Sequence, residues 1–90
     1  MAHQWTEEDD LIVLYLYKYG IEDLPCTIDS IARERGMSSA SLRMRIGNMK
    51  AIAEGSGLSH YGKITAAVYL KWKNASNRRL RTVAFPELQG

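Results

Sequence analysis

The stretch SSASLRMRIGNMKAI, residues 38–52, decides the predicted fold. It opens with serines, which are good helix N-caps, and its apolar residues recur at helical spacing. It carries three basic side chains and no acidic one. A shorter predicted helix, Ile28 to Arg35, precedes it and ends at Gly36, which permits the positive φ of a tight turn. This order is the outline of a helix-turn-helix, whose second helix can lie in the major groove of DNA.

The predicted third helix has two distinct faces. A core stripe follows the spacing i, i+4, i+7, i+11 and consists of Leu42, Ile46, Met49 and Ala53. The opposite face carries small, polar or flexible side chains, namely Ala40, Ser41, Met44, Gly47, Asn48 and Ala51. Basic residues flank the stripe. This pattern predicts a helix that is buried on one side only.

The polar residues of this helix suit base recognition. Asparagine can pair bidentately with adenine and arginine with guanine, which makes Arg43, Arg45 and Asn48 candidate readers. Gly47 costs about 1 kcal/mol of helix stability relative to alanine. Such a cost suggests close approach to DNA or to another helix. The alternative is a close helix–helix contact through the small residues, with the basic side chains merely solvated.

The predicted first helix begins after Trp5 and ends at Gly20. Thr6 is a suitable N-cap, and the four acids at 7–10 complement the helix dipole. The helix is apolar nearly all round, which predicts that it is mostly buried. Its tyrosines could form a platform for nucleic acid, but at helical spacing they are more often core. A metal site at residues 7–10 is conceivable, but a capped helix start explains those acids.

The C-terminal half is more ambiguous. The segment 55–57, Gly-Ser-Gly, breaks the chain, and a fourth helix is expected from Lys63 or Thr65 to about Ala75. Its inner face would be Ile64, Val68 and Trp72, or alternatively Ala67 and Lys71. A basic cluster at 78–81 leads into residues 82–85, which would be a short strand, a packed extended tail or a linker. These patterns predict a helical domain at 1–76 and a basic tail or linker at 77–90.

Composition bounds the class of protein. Ninety residues, 46% hydrophobic and 24% charged, suit one globular domain. The single cysteine, Cys26, excludes an internal disulfide and favours a reducing, cytoplasmic setting. No apolar run reaches the roughly 18 residues that a membrane span needs. His3 and His60 have no metal-ligand spacing, and no phosphate loop or nucleophile elbow is present. We therefore expect no enzyme activity, no metal and no cofactor.

Charge is distributed unevenly along the chain. Residues 1–24 carry six acidic side chains and one basic one, whereas residues 55–90 carry six basic side chains and one acidic one. A positive surface attracts nucleic-acid phosphates by releasing condensed counterions. The simpler interpretation is that these basic side chains are solvated surface residues that keep the protein in solution.

Two families resemble parts of this sequence. Trp5-Thr6-Glu7-Glu8-Asp9, Leu11 and Tyr19-Gly20 resemble the opening helix of Myb and SANT-like repeats, and Ile31-Ala32 and 43–48 lie where that family continues. The sequence departs from that family in lacking the later core tryptophans of a Myb repeat, since Ile31 and Met49 fall near their positions. Residues 38–52 with Gly55-x-Gly57-Leu58-Ser59 resemble the N-terminal module that precedes HNH nuclease domains in bacterial restriction-type endonucleases. In that resemblance Arg45 and Asn48 are the matched polar positions, and the nuclease centre itself is not present.

Together these features predict an all-α fold, a three-helix helix-turn-helix core with a fourth helix and a basic tail. The predicted function is binding of double-stranded DNA with Ser38–Ala53 as the recognition helix, either as the DNA-reading part of a nuclease or as a small regulator. A protein partner or an associated nuclease domain is the other predicted partner. The predicted DNA contacts are Ser38, Ser39, Ser41, Arg43, Arg45, Asn48, Lys50, Lys63, Lys71, Lys73, Arg78, Arg79 and Arg81. The alternative is a SANT-like protein-interaction module that docks through its acidic, tyrosine-rich first helix.

Overall fold

The computed structural model describes residues 4–55 and 63–86, and these form five helices with no β-strand among them. The helices are α1 (Glu7–Tyr19), α2 (Ile28–Arg35), α3 (Ser39–Glu54), α4 (Lys63–Trp72) and α5 (Asn77–Ala84). The predicted all-α class is confirmed. The predicted loop at 56–62, both histidines and the last four residues lie outside the described part of the chain.

Helix α1 is the central element. Thr6 caps it as predicted: its hydroxyl accepts from the Asp9 amide at 3.2 Å, while the Asp9 carboxylate accepts from the Thr6 amide at 3.0 Å. Gly20, with φ of 76°, ends the helix. Every residue from Asp9 to Leu16 is buried, because α1 packs against α3, α4 and α5 at once.

The turn between α2 and α3 is closed by local hydrogen bonds. Gly36 takes the left-handed conformation, with φ of 77°. Its amide donates to the Arg33 carbonyl at 3.2 Å, and the Met37 amide donates to the Ala32 carbonyl at 2.9 Å. This pair of bonds is a Schellman motif, and it satisfies carbonyls that the helix end would otherwise leave free. The predicted bounds of α2 and the predicted glycine turn are confirmed.

The buried arc of α3 is wider than the predicted stripe. Leu42 and Met49 are fully buried as expected, but Ile46 and Ala53 are only partly buried. Ala51, which was assigned to the outer face, is buried. The reason is that α3 packs against three helices, α1, α2 and α4, so more than one side of it is covered.

Helix α4 turns a different face inward from the one predicted. Val68 is buried as expected and Trp72 partly so, but Ile64 is 42% exposed and Thr65 is fully buried. The Thr65 hydroxyl donates to Asp10 at 3.1 Å, so a polar contact with α1 orients the helix. The alternative inner face was also wrong, since Ala67 and Lys71 are exposed. The helix ends at Trp72, three residues earlier than predicted.

Residues 77–84 form a helix rather than a basic tail, linker or strand. Ser76 caps α5 by accepting from the Arg79 amide at 3.2 Å. Leu80 is fully buried and Ala84 is buried, and the helix packs against α1. Leu80 and Ala84 lie four positions apart, so they give α5 one buried face and make it amphipathic. Three arginines surround Leu80 in the sequence and conceal this pattern.

Candidate nucleic-acid interface

One side of α3 is open to solvent along the whole helix. We call it the outer face of α3, and its exposed residues recur every three or four positions: Ala40, Arg43, Met44, Gly47, Lys50 and Glu54. This spacing is that of one continuous helical face. Its only acidic residue is at the C-terminal end. The face therefore presents two cations and a small, partly apolar centre.

The two cations of the outer face are held loosely. Arg43 lies 4.0 Å from Asp29, and the side chains are 62% and 67% exposed. Lys50 lies 4.0 Å from Glu54 one turn along, and both of these side chains are also more than half exposed. Exposed ion pairs of this kind contribute between nothing and about 1 kcal/mol. Both cations are thus available to an anionic partner.

No side chain of residues 4–55 and 63–86 covers the centre of the outer face. A Cβ built on Gly47 would meet no described atom within 4 Å. The predicted alternative of a close helix–helix contact at Gly47 therefore has no partner among residues 4–55 and 63–86. Met44 lies one turn before Gly47 and is 69% exposed, the most exposed large hydrophobic side chain described. The sequence pattern predicts Met44 on this face, although Met44 is not among the predicted DNA contacts.

A Gly47→Ala substitution is expected to raise the free energy of unfolding by up to about 1 kcal/mol, because alanine is the better helix former and its methyl group has space. Urea denaturation measures this effect. Gly55→Ala is the matched control, since Gly55 has φ of 63° and a side chain there is strained. A loss of stability on Gly47→Ala would show that position 47 is not open.

The serines at the start of α3 are already hydrogen-bonded. The Ser38 hydroxyl accepts from the Ser41 amide at 3.0 Å and donates to the Ser41 hydroxyl at 2.9 Å. The Ser39 hydroxyl donates to the Asp29 carboxylate. That carboxylate disfavours an anion at this helix start. The predicted phosphate contacts of these three serines are therefore less favourable than those of Arg43 and Lys50.

Arg45 does not belong to the outer face. Its Nε and Nη2 atoms donate to the two oxygens of Asp10 at 3.0 and 2.9 Å, and its side chain is only 14% exposed. The guanidinium carbon lies 4.4 Å from the centre of the Trp5 ring. Asp10 is fully buried and also accepts from Thr65. The arginine predicted to read bases instead joins α3 to α1.

Asp9 makes a similar connection to α2. One of its oxygens accepts from Arg35 Nε at 2.7 Å, in addition to its part in capping α1. Asp9 and Asp10 thus link the first turn of α1 to α2, α3 and α4. The capped start of α1 therefore explains only part of the role of Asp9 and Asp10.

The sequence contained one signal that Arg45 is buried. Arg45 lies three residues after Leu42 and four before Met49, within the buried arc of α3.

The remaining predicted DNA contacts lie on three helices and on the connection between α4 and α5. Asn48 is partly buried at the edge of the outer face of α3. The exposed basic residues of the last two helices and their connection are Lys63, Lys71, Lys73, Arg78 and Arg79, whereas Arg81 is partly buried. Of these, the structure brings Lys71 and Arg79 together, with their cationic groups 5.6 and 5.4 Å from the centre of the Trp72 ring.

Little of the surface of α1 is exposed for a protein partner to bind, as the predicted protein-docking alternative requires. Tyr15 is fully buried, with its ring centroid 5.2 Å from that of Tyr19 and 5.5 Å from that of Phe85. Tyr17 and Tyr19 are partly buried against the core. Of the four acids in the first turn, Asp9 and Asp10 are buried and ion-paired, which leaves Glu7 and Glu8 exposed.

Chemically reactive groups are sparse in the described residues. Cys26 is partly buried and lines a cleft of about 570 Å³ between α1, α2 and the end of α5. Burial, with a smaller contribution from Glu34, raises the pKa of the Cys26 thiol and keeps it protonated at neutral pH. Residues 4–55 and 63–86 contain no cluster of three histidine, cysteine or acidic side chains that could hold a metal ion.

No helix in these two ranges is both long and apolar enough to cross a membrane. No family model, curated protein or solved structure matches this chain.

Proposed function

We propose that this chain is a double-stranded DNA-binding helix-turn-helix module and that α3 enters the major groove. The observation that carries the proposal is the outer face of α3. It is exposed from Ala40 to Glu54, bears Arg43 and Lys50 with only loose ion pairs, and has at Gly47 a point where a groove can approach the backbone. The major groove of B-DNA is wide enough for such a helix.

The packing of the first three helices supports the proposal. A recognition helix must hold its outer residues in a fixed orientation, because base contacts depend on short, directional hydrogen bonds. Arg45 supplies that rigidity through its two hydrogen bonds to the buried Asp10. The Schellman turn at Gly36 joins α2 to α3 with a short connection of the kind that helix-turn-helix units use.

Within this proposal the residues have separate roles. Arg43 contacts a base or a phosphate, Asn48 reads a base from the edge of the face, and Lys50 contacts the phosphate backbone. The exposed basic residues of α4 and α5 add attraction to DNA in general. The resemblance to modules that precede HNH nucleases supports a role as the DNA-reading part of a nuclease, either free-standing or within a longer protein.

Alanine substitutions on the outer face are expected to weaken DNA binding. Arg43→Ala should cost about 1–3 kcal/mol on a selected site, whereas Lys50→Ala should weaken all duplexes alike and lower the salt slope by about 1. Fluorescence anisotropy with a labelled duplex, at about 50 and about 200 mM salt, measures both effects because phosphate contacts weaken with salt.

Arg33→Ala is the matched control. Arg33 is an exposed arginine on α2, so its loss changes the net charge equally without altering the outer face of α3. If Arg33→Ala weakened binding as much as Arg43→Ala, charge alone would account for the result. If the unmodified chain did not bind the duplex at the lower salt concentration, the proposed function would be overturned.

A further inference from the structure

Met44 lies at the centre of the outer face of α3, and the roles proposed above do not include it. Its side chain is 69% exposed to solvent. Ala40 lies one turn before it and Gly47 one turn after it, and both are exposed. Neither has a side chain larger than a methyl group. Of the outer-face residues, Met44 is therefore the one whose side chain is both large and apolar.

The charges around Met44 indicate an anionic partner. Arg43 directly precedes it, and Lys50 lies about two turns beyond Arg43 on the same face. Both cations are more than half exposed, and their ion pairs are as long as 4.0 Å. An uncharged protein surface laid on this face would desolvate both cations without giving them a counter-charge. The outer face thus complements a surface that is anionic overall and has an apolar group at its centre.

The major groove of DNA combines these two properties. Its phosphates are anionic, and its floor consists of base edges. Most groups on that floor are hydrogen-bond donors or acceptors, and the one apolar group is the methyl at C5 of thymine. Methylation of cytosine places a methyl at the same ring position. An apolar side chain on a helix in this groove therefore has one chemical complement, the C5-methyl group of a pyrimidine.

A methionine next to an open glycine is suited to this contact. Methionine is unbranched and has three rotatable bonds and a polarizable sulfur, so its side chain adapts to the position of a methyl group. A Cβ at Gly47 would meet no described atom within 4 Å. The base edges can therefore approach the backbone of α3 closely at Gly47, and this brings them within reach of Met44 one turn away.

The position of Asn48 agrees with a thymine at this point. Asn48 lies four residues after Met44, and side chains at this spacing have Cβ atoms about 5–6 Å apart. Successive bases of one strand are separated by about 3.4 Å, so the two side chains reach the same base pair or adjacent ones. Asparagine pairs with adenine, whose partner is thymine. An adenine contact by Asn48 therefore favours a thymine methyl near Met44.

We propose that Met44 contacts the C5-methyl group of a pyrimidine in the major groove and gives the chain a preference for thymine or 5-methylcytosine at that position. This inference rests on the proposed function, because it requires α3 to lie in the groove. It adds a specificity-determining residue to Arg43 and Asn48.

The experiment compares duplexes that differ only in their C5-methyl groups. A short duplex that the chain selects from a random pool is prepared in three forms: unmodified, with uracil in place of thymine, and with 5-methylcytosine in place of cytosine. Fluorescence anisotropy measures the dissociation constant of each. One buried methyl changes affinity by about fourfold. We expect uracil to weaken binding by this factor if the pyrimidine is thymine, and 5-methylcytosine to strengthen binding by this factor if it is cytosine.

Variants at two exposed apolar positions test the assignment to Met44. Met44→Ala is expected to abolish the effect of the methyl group, because the side chain and the methyl form one contact. Met44→Leu remains apolar and should keep much of the effect. Leu70→Ala is the matched control, since Leu70 is 66% exposed but lies on α4, and it should keep the whole effect. An equal methyl effect in Met44→Ala and the unmodified chain would overturn the assignment, since the methyl would then act through the shape of the duplex.

The same titrations separate this inference from the proposed function. If the chain binds no duplex at the lower salt concentration, the proposed function is overturned and the role of Met44 with it. If the chain binds in a salt-dependent way while neither uracil nor 5-methylcytosine changes its affinity, the DNA function stands and the role of Met44 is overturned.

Discussion

An Asp10→Ala substitution is expected to lower the free energy of unfolding by about 3–5 kcal/mol, because it leaves the buried guanidinium of Arg45 without its counter-charge. The same change removes the acceptor of the Thr65 hydroxyl. Domains of this size are stable by only about 5–15 kcal/mol, so the variant would lose a large part of its stability. Urea denaturation followed by circular dichroism measures the loss.

Glu8→Ala is the control for this prediction. Glu8 lies in the same first turn of α1 but is exposed, so its loss affects the helix dipole by only about 0.3–1 kcal/mol. A double variant, Asp10→Leu with Arg45→Met, should recover much of the stability, since an apolar pair can replace a buried ion pair. If Asp10→Ala were as mild as Glu8→Ala, the Asp10–Arg45 pair would not hold α3 to α1.

Weakening the Asp10–Arg45 pair should also change the orientation of the outer face of α3. Arg45 is anchored from the opposite side of the helix, so weakening that anchor lets α3 shift relative to α1. Arg45→Met alone tests this connection. In our proposal it weakens DNA binding through the position of Arg43 and Lys50, and it does not remove a base contact.

Leu80→Ala in α5 is expected to cost about 2–5 kcal/mol, the range for truncating a fully buried leucine. The reason is that Leu80 packs into the core that α5 shares with α1, beside a helix whose Tyr15 and Leu14 are fully buried. Thermal or urea unfolding measures the loss. If residues 77–84 were a solvent-exposed basic tail, Leu80→Ala would leave the free energy of unfolding unchanged.

Leu70→Ala is the matched control for α5. Leu70 is 66% exposed on α4, so the same chemical change should alter stability by less than about 0.5 kcal/mol. Equal effects at positions 70 and 80 would contradict the packing of α5. A chain shortened after Ser76 should lose more than Leu80→Ala does, because Ala84 and Phe85 leave the core with it.

Local signals predicted much of the secondary structure. Thr6 and Ser38 cap α1 and α3, and Gly20 and Gly36 end α1 and α2. These features depend on hydrogen bonds between residues three to five positions apart, so the chain specifies them without reference to its other parts. The same holds for the position of Arg43, Gly47 and Lys50 on one helical face, which follows from their spacing alone.

The tertiary structure decided what local signals could not. Arg43 and Arg45 are both basic residues in the same turn of α3, yet one is exposed and the other is bound to Asp10, which is 35 residues away in sequence. Helix α5 was similarly hidden, because the burial of Leu80 requires α1 to be present as its partner.

The sequence by itself therefore determined α1, α2 and α3, their caps and the glycine turn between α2 and α3, because each of these is stabilised within a few residues. Only the tertiary structure decided which charges stay in water. A buried carboxylate such as Asp10 is tolerable only when a distant cation and hydroxyl meet it, and no periodicity in the sequence records that meeting. For this reason the exposed cations of α3, and not all of its cations, form the candidate interface.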